Sequence, residues 1–164
     1  MTLFESALVL TTLLRSLVAG FLFAFAVVVM PGIRGLNDRE FIRAFQAMDG
    51  VIQNNQPIFM LVWVGSFLAL IAVTIMGVGQ LSGAWRWLLM VAALANVLGV
   101  HWPTIATNIP LNKRLHALNV EALDASSLSA ARARFEPRWN RWNAVRTLVS
   151  AVIAALLMVL LVGR

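Results

Sequence analysis

The chain has 164 residues, of which 60% are hydrophobic and 12% charged, with no cysteine, no tyrosine and a mean hydropathy of +0.83. Soluble domains are about 45–50% apolar and about 25% charged, so this composition excludes an ordinary globular domain and points to an integral membrane protein. The absence of cysteine excludes disulfides, thiolate metal sites and cysteine nucleophiles, and at ~20 residues per bilayer-spanning helix the chain holds four spans in one domain.

The first apolar run covers about residues 6–30. Glu5 precedes it with no Lys or Arg, and it is much longer than the ~7–15 apolar residues of a signal peptide, so it reads as a mature helix. In the loop that follows, Asn37 and Glu40 resemble a capping box, and Phe41, Phe45, Met48 and Ile52 recur at helical spacing. That pattern predicts an amphipathic helix on the membrane interface. A cluster of amides, Gln53, Asn54, Asn55 and Gln56, leads to Pro57 and the second span, about residues 57–78. The third span covers about 84–107 and the fourth about 143–162. Between them, Leu111 to Arg141 alternates leucine with charge, and Ser126, Ser127 and Ser129 are candidate caps for a short helix ending near Pro137. The fold class expected is all-α: an integral membrane four-helix bundle with short amphipathic helices in loops one and three.

The net charge of +6 would suggest nucleic-acid binding in a soluble protein. Its distribution argues otherwise. Arg34, Arg39 and Arg43 lie in loop one, and Lys113, Arg114, Arg132, Arg134, Arg138, Arg141 and Arg146 lie in or beside loop three, ten of the thirteen Lys and Arg residues. The positive-inside rule then places loops one and three in the cytoplasm and both termini outside, as in a bacterial inner-membrane protein. Anionic lipid headgroups are the expected partners of this collar, and no stripe of interleaved aromatics and cations suggests a nucleic-acid surface.

Polar residues inside a bilayer are costly and mark sites or interhelical hydrogen bonds. His101, Thr104 and Asn108 fall at i, i+3 and i+7, Asn112 extends their stripe, and Pro103 and Pro110 interrupt the helix that carries them. Trp139, Trp142, Asn143 and Arg146 fall at i, i+3, i+4 and i+7, an arrangement suited to a planar, oxygenated aromatic ligand. Arg15 lies deep in the first span beside Thr11, Thr12 and Ser16, with Asn96 its polar partner at similar depth; a structural and a cavity-lining role stand equal for it. The amides around Asn54 reach the same membrane boundary as the two stripes. Neither a proton-coupling carboxylate within a span nor a pair of carboxylates occurs, and His101 and His116 are too far apart, without acidic companions, to hold a metal. This leaves His101 as the one base among amides and indoles.

The segments AGFLFAFAVVVMPGI (residues 19–33), NIPLNKRL (108–115) and WNRWNAVRT (139–147) resemble, in order, motifs of the anthrone oxygenase-like family of four-helix membrane proteins. The resemblance implies oxidation of an anthrone to an anthraquinone by molecular oxygen with no recognised cofactor. It carries over to Pro31, Asn108, Pro110, Asn112, Trp139, Asn143 and Arg146; some relatives have His at the position of Asn143. Such chemistry implies a substrate drawn from the bilayer and bound by Trp139, Trp142, Thr104, Asn54 and Arg15. His101 would remove the proton, and Asn108, Asn112, Asn143 and Arg146 would hold the developing enolate. Other readings are a non-enzymatic membrane protein that binds a lipid or quinone-like ligand or serves as a complex subunit, and a haem protein with His101 as axial ligand. The sequence leaves the oligomeric state open, a homo-oligomer included.

Overall fold

The structure is a computed structural model describing residues 1–163. Among the described residues, four helices are long and apolar enough to cross a membrane: α1 (Leu3–Ile33), α3 (Pro57–Gln80), α4 (Gly83–His116) and α5 (Ala125–Gly163). A fifth helix, α2 (Asp38–Gln53), joins α1 to α3. α1 packs against α5 and α3, and α5 against α4, so α1 and α5 form the centre of the bundle. The inner faces of the four spans meet in a core that includes Phe4, Leu8, Leu22, Leu70, Leu89, Ile153 and Leu157. The outer faces carry exposed Leu10, Leu17, Leu61, Leu68, Ile75, Leu94, Leu98, Leu148 and Val159. An apolar exterior around a helical bundle is the expected surface of a chain solvated by lipid, where each span satisfies its own backbone.

Helix starts follow capping chemistry. Thr2 and Glu5 form a reciprocal capping box at α1, with Thr2 N donating to Glu5 Oε2 at 2.8 Å and Glu5 N to Thr2 Oγ1 at 3.2 Å. Asn37 caps α2 by accepting from Glu40 N at 3.0 Å. At α5 the expected serine caps give way to Asp124, which accepts from Ser127 N at 2.7 Å and Ser126 Oγ at 3.1 Å. A carboxylate at this place also meets the positive end of the helix dipole.

All four long helices outrun their sequence-predicted spans, α4 and α5 by most. α4 continues past Pro103 and Pro110, and α5 absorbs the short helix of loop three, with Pro137 inside a continuous 39-residue helix. A proline inside a helix removes one hydrogen bond and normally kinks or breaks it. Here Phe135 and Trp139, on either side of Pro137, are both buried against α2, so tertiary packing holds the helix together across the lost bond. In α4, π turns at Val97–His101 and Thr104–Asn108 adjoin Pro103 and Pro110, and in α1 a π turn at Phe25–Val29 precedes Pro31. Such turns accommodate an interrupted backbone ladder and re-aim the side chains beyond it.

Helix α2 does not simply lie on the interface. It closes one end of the bundle, burying Phe41, Ile42 and Phe45 against Leu111, Leu115, Leu128, Phe135 and Trp139. Several arginines of the basic collar pin it there. Arg132 Nη1 donates to Leu36 O at 2.8 Å, its Nη2 to Arg34 O at 2.7 Å, and it pairs with Asp38 and Glu136. Arg39 donates to Val120 O and, at 2.9 Å, to Leu123 O, while Arg43 pairs with Glu121.

Candidate functional site

Beneath α2, all five helices enclose a cavity of about 330 Å³. Its walls are aromatic: Phe21 and Phe25 from α1, Phe45 from α2, Phe59 and Trp63 from α3, Trp139 from α5. Phe59 is 5.8 Å from Trp63 in near-parallel stacking and 5.1 Å from Phe21, so these rings form a continuous surface. Flat walls of this kind favour a flat apolar ligand.

Two hydrogen-bonded arrays interrupt the aromatic lining. The first centres on Arg146, which is 5% exposed. Its Nη1 donates to Thr104 Oγ1 at 3.1 Å and its Nη2 to Asn143 Oδ1 at 2.9 Å. Asn108, with its amide nitrogen toward Pro103 O at 3.3 Å, accepts from Arg146 Nη2 at 3.2 Å. Thr104 in turn donates to Val100 O at 2.7 Å, and Asn143 Nδ2 to Leu22 O at 3.2 Å, so the neutral partners are themselves fixed. The guanidinium carbon lies 5.8 Å from the Trp139 ring centre. None of these partners is a carboxylate, and among the described residues Arg146 has no ion-pair partner. A buried cation with only dipoles around it keeps most of its field for whatever enters the cavity.

The second array brings in a carboxylate. Trp139 Nε1 donates to Asn112 Oδ1 at 2.8 Å, Asn112 Nδ2 donates to Asp49 Oδ1 at 2.7 Å, and Gln53 Nε2 donates to Asp49 Oδ2 at 3.1 Å. Asp49 is 3% exposed and lines the cavity. Each carboxylate oxygen thus has one amide donor, which holds the group in a single orientation and leaves further lone pairs free.

Of the ten residues singled out from sequence, Thr104, Asn108, Asn112, Trp139, Asn143 and Arg146 line this cavity together. His101, Trp142, Asn54 and Arg15 are not among its lining residues. His101 closes the first π turn of α4 and Thr104 opens the second. His101 instead sits against Phe67 and Trp63, its ring centre 4.5 and 5.7 Å away, with Nδ1 3.3 Å from Asn96 O. Asn54 caps the C-terminus of α2, and its neighbour Asn55, at φ 56°, takes the lining position. Trp142 is half-buried on the adjacent side of α5. Arg15 occupies a deeper layer, where Nη2 is 3.4 Å from Ser150 Oγ.

Asp49 and the rings of Phe21, Phe59 and Trp63 escaped the sequence reading. Asp49 carried a signal, since it follows Phe45 by four residues and Phe41 by eight. That spacing sets a carboxylate on the apolar stripe of α2, where an ionisable group is out of place unless it faces something. The three wall aromatics carried none, because nothing distinguishes them from lipid-facing rings until the helices are packed.

The family model for anthrone oxygenase matches residues 45–156. The chain belongs to the anthrone oxygenase family. The matched segment contains every polar residue of both arrays, from Asp49 to Arg146, while α1, with Phe21, Phe25 and Arg15, lies before it. Neither a curated protein nor a solved structure matches the chain. Among the described residues, no cluster of three His, Cys, Asp or Glu side chains is placed to hold a metal ion.

Proposed function

We propose that this family member oxidises a hydrophobic, planar, anthrone-like aromatic with molecular oxygen, using side chains alone. The observation that carries the reading is the pairing, in one aromatic-walled cavity, of a buried guanidinium with no carboxylate partner among the described residues and an oriented carboxylate. A volume of about 330 Å³ lies at the small end of the ~300–1,000 Å³ of small-molecule sites, suited to one fused tricycle.

In this scheme the substrate partitions from the bilayer and stacks on Phe59, Trp63 and Trp139. Asp49 removes a proton from the methylene carbon opposite the ring carbonyl, and the electron pair moves onto the carbonyl oxygen. Arg146, backed by Asn108 and Asn143, holds that oxyanion, a role that preorganised donors fill without reorganisation as charge develops. The electron-rich enolate transfers one electron to oxygen, the two radicals combine at the former methylene carbon, and the proton returns to give a hydroperoxide. Loss of the second hydrogen on that carbon with the terminal hydroxyl releases water and leaves the second quinone carbonyl. One anthrone and one dioxygen thus give one anthraquinone and one water. Asp49 takes the place of His101 as the base, because it lines the cavity and His101 does not.

The cytoplasmic placement of loops one and three, and a bacterial inner membrane, remain part of this proposal and rest on the positive-inside rule. The test uses detergent-purified protein with a hydroxylated anthrone such as emodin anthrone under air, following quinone absorbance and oxygen uptake together. Protein-dependent quinone formation with equimolar oxygen consumption is expected. Equal rates with and without protein would refute the reading for this substrate class, and saturable binding without turnover would favour a non-enzymatic carrier of quinone-like ligands.

A further inference from the structure

Below the cavity, a second polar layer crosses the middle of the bundle. Gly65 faces Leu14 and Gly99 faces Val149, where an added Cβ would lie 3.8 and 2.9 Å from the neighbouring side chain. These contacts bring the adjacent Arg15 of α1, Ser66 of α3 and Ser150 of α5 to one level, with Asn96 of α4 one turn away. Arg15, Ser66, Asn96 and Ser150 are all fully buried. Arg15 reaches Ser150 Oγ through Nη2 at 3.4 Å, but among the described residues its Nε and Nη1 have no partner, and neither do Nδ2 and Oδ1 of Asn96. His101, on Asn96 O, lies within electrostatic reach of Arg15.

A guanidinium stays protonated in proteins, so Arg15 carries a full charge in a low-dielectric layer. Among the described residues no carboxylate pairs with it. Ser150 is four residues beyond Arg146, one helical turn, which puts a second unpaired cation in the adjoining layer. Water could satisfy the free donors but could not offset two like charges.

We propose that this layer binds one small monovalent inorganic anion, chloride in the cell. Arg15 Nε and Nη1 together with the Asn96 amide and the Ser150 hydroxyl supply its donors. A halide fits the chemistry on three counts: the donors are N–H and O–H groups, none of the layer's four residues lines the large cavity, and a single negative charge balances Arg15. The site belongs to the bundle and not to the oxygenase chemistry, so it stands whatever the substrate is.

Purified protein in lipid nanodiscs is unfolded thermally in sodium chloride and in sodium gluconate at equal ionic strength. Separately, bromide retained after gel filtration in gluconate is counted by X-ray fluorescence. A saturable rise of Tm with chloride and about one bromide per chain are expected. Arg15→Met should lose both. Should Arg15→Met fail to fold, Asn96→Leu decides: losing one donor to an anion should weaken halide affinity by about tenfold. Identical Tm values in the two salts with no bromide retained would overturn the proposal, as would full retention by Arg15→Met or Asn96→Leu, which places the halide on the basic collar.

Discussion

Replacing Arg146 by methionine separates a catalytic cation from a structural one, because the two roles predict opposite relations between activity and stability. Methionine fills most of the same length with an apolar, flexible chain. The substitution removes donors to Thr104 Oγ1 at 3.1 Å and Asn143 Oδ1 at 2.9 Å, together with the contact to Asn108. Hydrogen bonds to a charged group contribute about 1.5–3 kcal/mol each. Against this loss, the variant no longer buries a guanidinium without a counter-charge, a desolvation cost of several kcal/mol in real proteins. Thr104 keeps its bond to Val100 O and Asn143 keeps its bond to Leu22 O, so neither partner is wholly orphaned. The terms nearly cancel, leaving stability within about 1.5 kcal/mol of the parent, or a Tm shift under about 6 °C for a chain of this size. Turnover is different. Removing one oxyanion donor costs about 10²–10³ in kcat, and here the donor carries a full charge. The assay is quinone formation from a hydroxylated anthrone, with Tm measured on the same preparation. Loss of activity in step with a Tm fall beyond about 10 °C would refute the catalytic assignment and make Arg146 a structural keystone; unchanged turnover would refute it outright.

Asp49→Asn keeps the shape of the side chain but takes away the base. Turnover should fall by about 10²-fold or more with substrate Kd little changed, read by stopped-flow quinone absorbance and by equilibrium binding under nitrogen; wild-type turnover in this variant would return the base to another group. The Asp124 cap offers a pH test. Hydrogen bonds from Ser127 and Ser126 hold its carboxyl below the ordinary value of 3.8. A group with a depressed folded-state value contributes stability above its ordinary value and loses it as pH falls through the folded one. Amide protection in the first turn of α5, taken relative to the intrinsic exchange rate at each pH, should therefore stay high at pH 5 and fall only on acidification below about 3.8, whereas Asp124→Ala should show low protection at both ends of that range. For orientation, an alkaline phosphatase fused to the C-terminus should be active and a fluorescent protein fused there dark in a bacterial inner membrane; the reverse pattern would invert the topology.

The four spans were legible because a membrane helix is specified locally. Its length, its apolar composition and its internally satisfied backbone leave little for distant residues to decide. The stripe of Trp139, Asn143 and Arg146 was legible for the same reason, since α5 keeps regular helical periodicity past Pro137 and those residues stay in register. Where regularity fails, so does the reading. In α4, which carries two π turns and two prolines, Thr104, Asn108 and Asn112 reach the cavity while His101 packs on Trp63 and Phe67 of α3.

By itself, then, the sequence determined an all-helical membrane bundle, the Asn37 cap of α2 and most of the polar groups of one site, all properties of short-range order. Only the tertiary structure decided which of those groups meet. Asp49 reaches Asn112 across 63 residues of chain because α2 folds back over the bundle end, driven by burial of Phe41, Ile42 and Phe45. Arg146 keeps neutral partners because the polar side chains packed around it come from helices that bring amides and a hydroxyl, and no carboxylate, to that depth. A contact between distant segments is settled by the summed burial of all the faces between them, and no local pattern encodes that sum.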